Sequence, residues 1–289
     1  MQRRRWLVNT LLALAALGIG LALWLTRQSP APPPVATPVI ATPASELRRI
    51  VVRHASTQIT LEREHAGQPW QMVAPRKARP DPVHIASLLQ LASATAQHRY
   101  ALGSIPDATT GLGQSALVLG VNHQAPVRLG GAGPTAGSRY VATPHAVLLV
   151  DLPELGHLDG DWTDWVDPRL VAPGAQLTRL VLPDFTLTLD NNQQWQASPV
   201  GQRSRDAAQT TVATWQRAKA LAVVPANHKR ERIARITLGF VDAPTRHLDV
   251  IERQPNLILR DPQLDVDYHL AGNRVAPLLD LEHPGIATP

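Results

Sequence analysis

The chain has 289 residues, no cysteine, and 28 basic against 23 acidic side chains, for a formal net charge of +5. Lacking cysteine, it can form no disulfide, no thiolate nucleophile, no Cys-ligated metal centre and no lipid-modified cysteine anchor. Four arginines (Arg3, Arg4, Arg5, Arg27) lie in residues 1–44, which hold no acid, so the remaining chain stands at +1, and bulk charge gives no footprint for a nucleic-acid partner.

The first predicted element is Trp6–Leu25 (WLVNTLLALAALGIGLALWL), polar only at Asn9 and Thr10. At about 20 residues it is long enough to cross a hydrocarbon core as a helix. Arg3–Arg5 precede it and only Arg27 follows closely, which by the positive-inside rule puts the N-terminus in the cytoplasm and the body outside. The competing reading is a cleaved signal peptide. Its apolar core would be shorter, about 7–15 residues, with a small-x-small site after it; here the run ends Trp24-Leu25-Thr26-Arg27-Gln28. An uncleaved signal anchor is the better reading, making the chain a single-pass protein of a bacterial inner membrane with a periplasmic body. Ser29–Pro43 (SPAPPPVATPVIATP) follows. Proline lacks an amide donor and favours extended geometry, so this segment reads as a semi-rigid spacer.

Beyond the spacer the chain presents one ordered series twice. Arg49–His54 and Gln58–Glu64 alternate apolar and polar side chains like strands, and Trp70–Val73 continues as a third. Asp81 then offers an N-cap before Pro82, and Ile85, Leu88, Leu89, Ala92 and Ala96 share one helical face. Strands are predicted at Ala116–Val121, Pro126–Leu129, Arg139–Thr143 and Ala146–Val150, with Gly130-Gly131-Ala132-Gly133 as a hairpin loop. A short helix is expected over Leu152–Leu158. The second series has strands at Thr178–Leu182, Phe185–Asp190 and Trp195–Ala197, then a helix capped by Asp206 with Ala208, Val212, Trp215 and Ala222 on one face. Arg235–Val241, Arg246–Glu252, Asn256–Arg260 and Val266–Leu270 follow as strands, and Asn273–Leu281 as a short helix. Leu47 matches Leu177, Trp70 matches Trp195, Pro75 matches Pro199 and Asp81 matches Asp206. The expected fold class is therefore α+β: an N-terminal transmembrane helix, then two tandem repeats, each a mainly antiparallel sheet with one main helix. The expected divisions are 1–5 cytoplasmic tail, 6–26 membrane helix, 27–45 Pro-rich linker, 46–158 first repeat, 159–175 inter-repeat loop, 176–283 second repeat and 284–289 tail. Trp70 and Trp195 are expected to be buried at equivalent places, pinning each sheet to its helix.

Several runs carry a recognisable signature. Ile50, Val52, Ile59, Leu61, Arg63, Trp70, Met72 and Pro75 spell I-x-V, I-x-L-x-R and W-x-M-x-x-P; Gly111 to Gly130 and Ser138 to Val150 continue it, and Asp164–Val171 (DWVDPRLV) links the halves. In these the chain resembles the bacterial family catalogued as domain of unknown function 4340, over about residues 47–280. Several such proteins are similar in having an N-terminal membrane anchor, and the family's association with gliding-motility-type ABC transport operons implies an accessory role. The long proline linker departs from the pattern, and the second half has no counterpart of Gly111-Leu112-Gly113. The resemblance implies no substrate and no catalytic residue.

Candidate chemistry is sparse. Gly111-Leu112-Gly113-Gln114-Ser115-Ala116 fits G-x-G-x-x-A, but dinucleotide binding needs a strand before and a helix after; here a strand follows, so a turn is the better reading. Asp159, Asp161, Asp164 and Asp167 are the dense acidic group that a hard cation would want, yet position twelve from Asp159 is Leu170, so EF-hand order is absent and a solvated loop with Trp162 and Trp165 between the halves is expected. The eleven histidines form no H-x-x-x-H, and G-x-S-x-G does not occur. His228, Lys229, Arg230, Arg232 and Arg235 form a basic run that reads either as a solvated edge or as a contact for an acidic partner or lipid headgroup. The expectation is thus a non-enzymatic, membrane-anchored periplasmic module with no cofactor and no metal, an accessory of an ABC-transporter-like or envelope complex. It would contact the bilayer through 6–26 and a protein partner through Lys229, Arg230, Arg232 and Arg235. The alternative is an envelope ligand-binding protein or hydrolase with its site in the groove between the repeats.

Overall fold

The computed structural model describes residues 38–113, 116–152, 158–199 and 204–280. The expected cytoplasmic tail, the membrane span over 6–26, the linker up to residue 37 and the tail over 284–289 lie outside the described residues. Among the described residues no helix is long and apolar enough to cross a membrane.

The first half runs β1 (Arg49–His54), β2 (Thr57–Glu62), β3 (Gln71–Ala74), α1 (Pro82–Ser93), β4 (Ala96–Tyr100), α2 (Asp107–Thr110), β5 (Leu117–Val121), β6 (Val127–Ala132), β7 (Ser138–Ala142) and β8 (Val147–Asp151). The second runs β9 (Leu177–Val181), β10 (Thr186–Leu189), β11 (Trp195–Ser198), α3 (Arg205–Arg217), β12 (Ala222–Pro225), β13 (Ala234–Phe240), β14 (Arg246–Glu252), β15 (Leu257–Asp261), β16 (Val266–Leu270) and α4 (Val275–Leu279). The fold is α+β, with two eight-stranded antiparallel sheets ordered β3-β2-β1-β5-β6-β7-β8-β4 and β11-β10-β9-β13-β14-β15-β16-β12. Position by position the two orders are the same, as a tandem repeat would give.

The correspondence extends to single residues. Leu47, Ile50 and Val52 are buried in the first half as Leu177, Leu180 and Leu182 are in the second. Ile50 faces Leu61 across β1–β2, and Leu180 faces Leu187 across β9–β10. The N–H of Val39 donates to the Ala94 carbonyl at the end of α1, and the N–H of Leu170 donates to the Ala218 carbonyl at the end of α3. Packing against the end of each main helix therefore involves residues ahead of Leu47 and Leu177. Val39 and Ile40, at the end of the proline-rich run, are buried core residues; apolar burial outweighs the solvated geometry that proline favours.

Asp81 caps α1 as expected, its carboxylate accepting from the Val83 N–H, with Pro82 in the first turn. His84, Leu88, Leu91 and Ala92 form its buried face. Helix α3 is capped instead by Ser204, whose hydroxyl accepts from the Ala207 N–H at 3.1 Å, while Asp206 lies in the first turn. There it favours the helix dipole without closing the end. Both residues are good caps, and the backbone path into the helix chose between them. Trp215, buried on α3, donates its indole N–H to the Leu278 carbonyl at 2.7 Å and so fastens α4.

Other expectations change. Ala96 and Ala222 are not on helical faces; they open β4 and β12, which close one edge of each sheet against β8 and β16. Alanine carries no stop signal, and the strand exists only through pairing with residues about fifty positions away. Gly130 and Gly131 lie within β6, not in a hairpin loop. A Cβ on Gly130 would lie 2.2 Å from the Thr110 carbonyl oxygen, and Gly111 ends α2 with φ +65°. These glycines let α2 approach the sheet backbone. Trp70 is buried, and the Arg63 guanidinium lies over its ring at 4.7 Å. Trp195 stands opposite Leu189 at the matching place but is only half-buried, so the expectation of two buried indoles fails for it. The short helix expected over 152–158 falls mainly on residues outside the described ones.

A single apolar core runs through both halves, with Trp165 and Leu170 fully buried where the halves meet.

Candidate functional site

The expected contact residues sit on the segment leading from β12 into β13. This segment is clamped from below. Arg260 on β15 donates from one terminal nitrogen to the Asn227 carbonyl at 2.7 Å and from the other to the Arg230 carbonyl at 3.2 Å. The Asn227 N–H in turn donates to Asp267 at 2.9 Å. Arg230 pairs with Glu252, Arg232 lies 3.7 Å from Asp249, and Arg235 donates to both Asp249 oxygens at 2.7 and 3.2 Å. His228 reaches Asp265 at 2.8 Å. Among the described residues Lys229 has no ion-pair partner. The run is therefore not a free positive surface: carboxylates of β14 answer each of its three arginines.

These pairs belong to a ladder across the sheet. Arg235 faces Asp249, Asp249 faces Arg260 and Arg260 faces Asp267 on the successive strands β13 to β16. Alternating charges on directly opposed positions attract along the whole row. Burial alone raises the Asp267 carboxyl, but the Arg260 hydrogen bond, the Asn227 N–H and the charges of Arg260 and His269 outweigh it and hold it below the ordinary value. In the first half the matching row is Val118, Arg128, Ala142 and Val147; Arg128 donates to the Leu112 carbonyl at 2.7 Å, and Leu112, Tyr140, Ala142, Val147 and Leu149 pack on this face under the segment that carries α2. Alternating charge runs along this row in the second half and not in the first. The sequence signal for the ladder was the placement of Asp249, Arg260 and Asp267 at polar phases of otherwise apolar strands, but their registration across strands is not legible without the pairing.

The acidic group does not converge. Asp161 accepts from Thr57 at 3.5 Å, and the Asp159 main-chain oxygen lies 3.1 Å from His54 Nδ1. Asp167, 1% exposed, is held by Arg79 at 2.8 Å and by Arg169 at 2.7 Å. Burial would raise its carboxyl, but the side-chain and backbone hydrogen bonds of Arg169, followed by the charge and hydrogen bond of Arg79, keep it below the usual carboxylate range. Arg79 also donates to the Arg169 carbonyl at 2.6 Å, so this carboxylate ties the first half to the start of the second. Trp165 packs against His84 of α1 with ring centroids 4.6 Å apart, and Trp162 lies under Arg76 at 5.8 Å; the two indoles sit at the junction as expected. Among the described residues no group of three His, Asp or Glu side chains is placed to hold a metal ion. Gly111 is a helix end followed by strand β5, without the strand-turn-helix geometry that cradles a pyrophosphate.

No family model matches the chain, and no curated protein or solved structure matches it.

Proposed function

We propose that the chain is a membrane-tethered periplasmic module that works by protein contact rather than catalysis, as an accessory of an ABC-transporter-like or other envelope complex. The observation that carries this reading is Ile233. It is 61% exposed, between Arg232 and Arg235, on a segment that Arg260 locks to the sheet. An apolar side chain ringed by charge is the composition of a contact surface with a polar rim. A segment already held in place loses little entropy when a partner docks. The uncharged run Trp6–Leu25 behind Arg3–Arg5 supports the tether and the orientation. The resemblance to domain of unknown function 4340 points the same way. A groove between the halves is a weaker alternative, because Trp165, Leu170 and the Arg79–Asp167–Arg169 cluster occupy the junction.

The test is capture of partners from membranes by the full-length chain in mild detergent, with partners identified by mass. Lys229→Glu combined with Ile233→Ser is expected to abolish capture and leave the Tm unchanged, since both side chains are exposed and neither holds the fold. Capture undiminished by the pair removes this surface from the proposal. Turnover of an envelope substrate by the intact chain, lost on one substitution, overturns the non-enzymatic reading.

A further inference from the structure

The two halves share strand order, and positions in their central strands correspond through the pairing; one set of corresponding places differs in kind. In the second half, Arg246, Asp261 and Tyr268 fill the end of the core face. Arg246 donates to Asp261 at 2.8 Å and to the Tyr268 hydroxyl at 3.0 Å, and also to the Leu170 carbonyl. In the first half the ladder positions equivalent to these three are Ala125, Thr143 and Leu148. The equivalence follows from pairing: Leu119 faces Val127 as Ile236 faces Leu248, and Val141 faces Leu148 as Leu259 faces Tyr268. Where the second half has a guanidinium, a carboxylate and a phenol, the first has a methyl, a hydroxyl and an isobutyl group. The result is a cavity of about 390 Å3, walled by Val39, Ile40, Leu119, Val127 and Leu148 among others, a volume within the roughly 300–1,000 Å3 of small-molecule sites.

The cavity also has a cation at a position where its counterpart has valine. Arg99 faces Leu148 across β4–β8, while Val223 faces Tyr268 across β12–β16. Directly opposed residues point to the same side of a sheet. Arg99 is therefore directed to the apolar face at a place where the second half buries valine. It lines the cavity together with His145, and among the described residues it has no acidic partner. A guanidinium remains charged at any physiological pH and favours carboxylate or phosphate oxygens.

We propose that this cavity is a binding site for an anionic amphiphile, a single acyl chain bearing a carboxylate or phosphate head. The chain lies against Val39, Leu119 and Leu148, and the head meets Arg99 at the mouth. The second half keeps the same fold with its place filled, so it serves as a rigid framework. The first half is the one that takes a ligand.

The test uses the full-length chain in phosphatidylcholine nanodiscs, with empty nanodiscs as reference, titrated with dodecanoate labelled with 13C at the carboxyl carbon and followed by NMR. A saturable bound carboxyl resonance, absent from empty nanodiscs, is expected at one per chain. Arg99→Gln is expected to weaken dodecanoate binding roughly tenfold or more, the loss of a charged hydrogen bond, and to leave dodecanol binding unchanged. Leu148→Tyr, which installs the residue of the second half, and Ala125→Trp at the exposed rim are each expected to abolish both; the rim variant covers the case in which the core variant unfolds. Lysophosphatidylglycerol displacing dodecanoate more strongly than unlabelled dodecanoate does identifies a membrane lipid as the source, and the reverse order a free fatty acid; either supports the site. No saturable resonance, or affinity unmoved by Arg99→Gln and Ala125→Trp alike, overturns it. Partner capture through Ile233 is measured on the same variants and is expected to persist, so the two proposals fail separately.

Discussion

Asp167 shows how little a residue type says about its role before its neighbours are known. In the sequence it closes an acidic run that reads as solvated. In the fold it is buried between Arg79 and Arg169, and the two guanidinium groups lower its pKa against the pull of burial. A carboxyl whose folded pKa lies below its unfolded one contributes stability above the unfolded value, near 3.9, and loses it as pH falls through the folded value. Asp167→Asn is expected to cost about 2–3 kcal/mol at pH 7, less than a fully buried pair would, because both guanidinium groups are about a third exposed and partly screened. The gap in unfolding free energy between the two proteins, measured by urea titration across pH, should hold above pH about 5 and narrow steadily below about 4. A gap that stays constant down to pH about 2 would reject the ion-pair account. The same reasoning alters the standing of the basic run. Arg235 neutralises Asp249, itself almost buried, so reversing its charge would strike the fold as well as any partner, and only Lys229 and Ile233 report on contact alone.

At the scale of elements, period and caps made the two main helices and most strands legible, because an amphipathic face is written into local spacing. Strands β4 and β12 were not legible: their alanine-led sequences form strands only when β8 and β16 offer an edge. The glycine cluster was misread for a related reason. Glycine marks either a turn or a close approach, and only the position of α2 distinguishes the two. Gly130→Ala is expected to destabilise the chain by about 1–3 kcal/mol, since the new methyl meets the Thr110 carbonyl and one backbone must move. Gly131→Ala, whose nearest contact would be 3.7 Å away, should shift the unfolding midpoint little. Equal midpoints for the two variants would show that α2 does not approach β6 as described.

At the scale of the whole molecule, the proposed orientation rests on the uncharged run over 6–26 behind Arg3–Arg5. A reporter active only in the periplasm, fused after Pro289, is expected to be active, and a reporter active only in the cytoplasm to be silent; the opposite pair of results rejects the orientation. The sequence by itself determined the α+β class, the doubling of one unit and the Asp81 cap of its first main helix. It could do so because alternation, helical period and the matched series from Leu47 and Leu177 are properties of neighbouring residues. Only the tertiary structure decided that Val39 and Ile40 belong to the core, that Trp195 stays half-buried, and that Asp249, Arg260 and Asp267 line up across three strands. It also decided that Arg246, Asp261 and Tyr268 fill in one half the place that Ala125, Thr143 and Leu148 leave open in the other. Each of these depends on residues far apart in the chain meeting in register, and register is set by the packing of the whole sheet rather than by any local run.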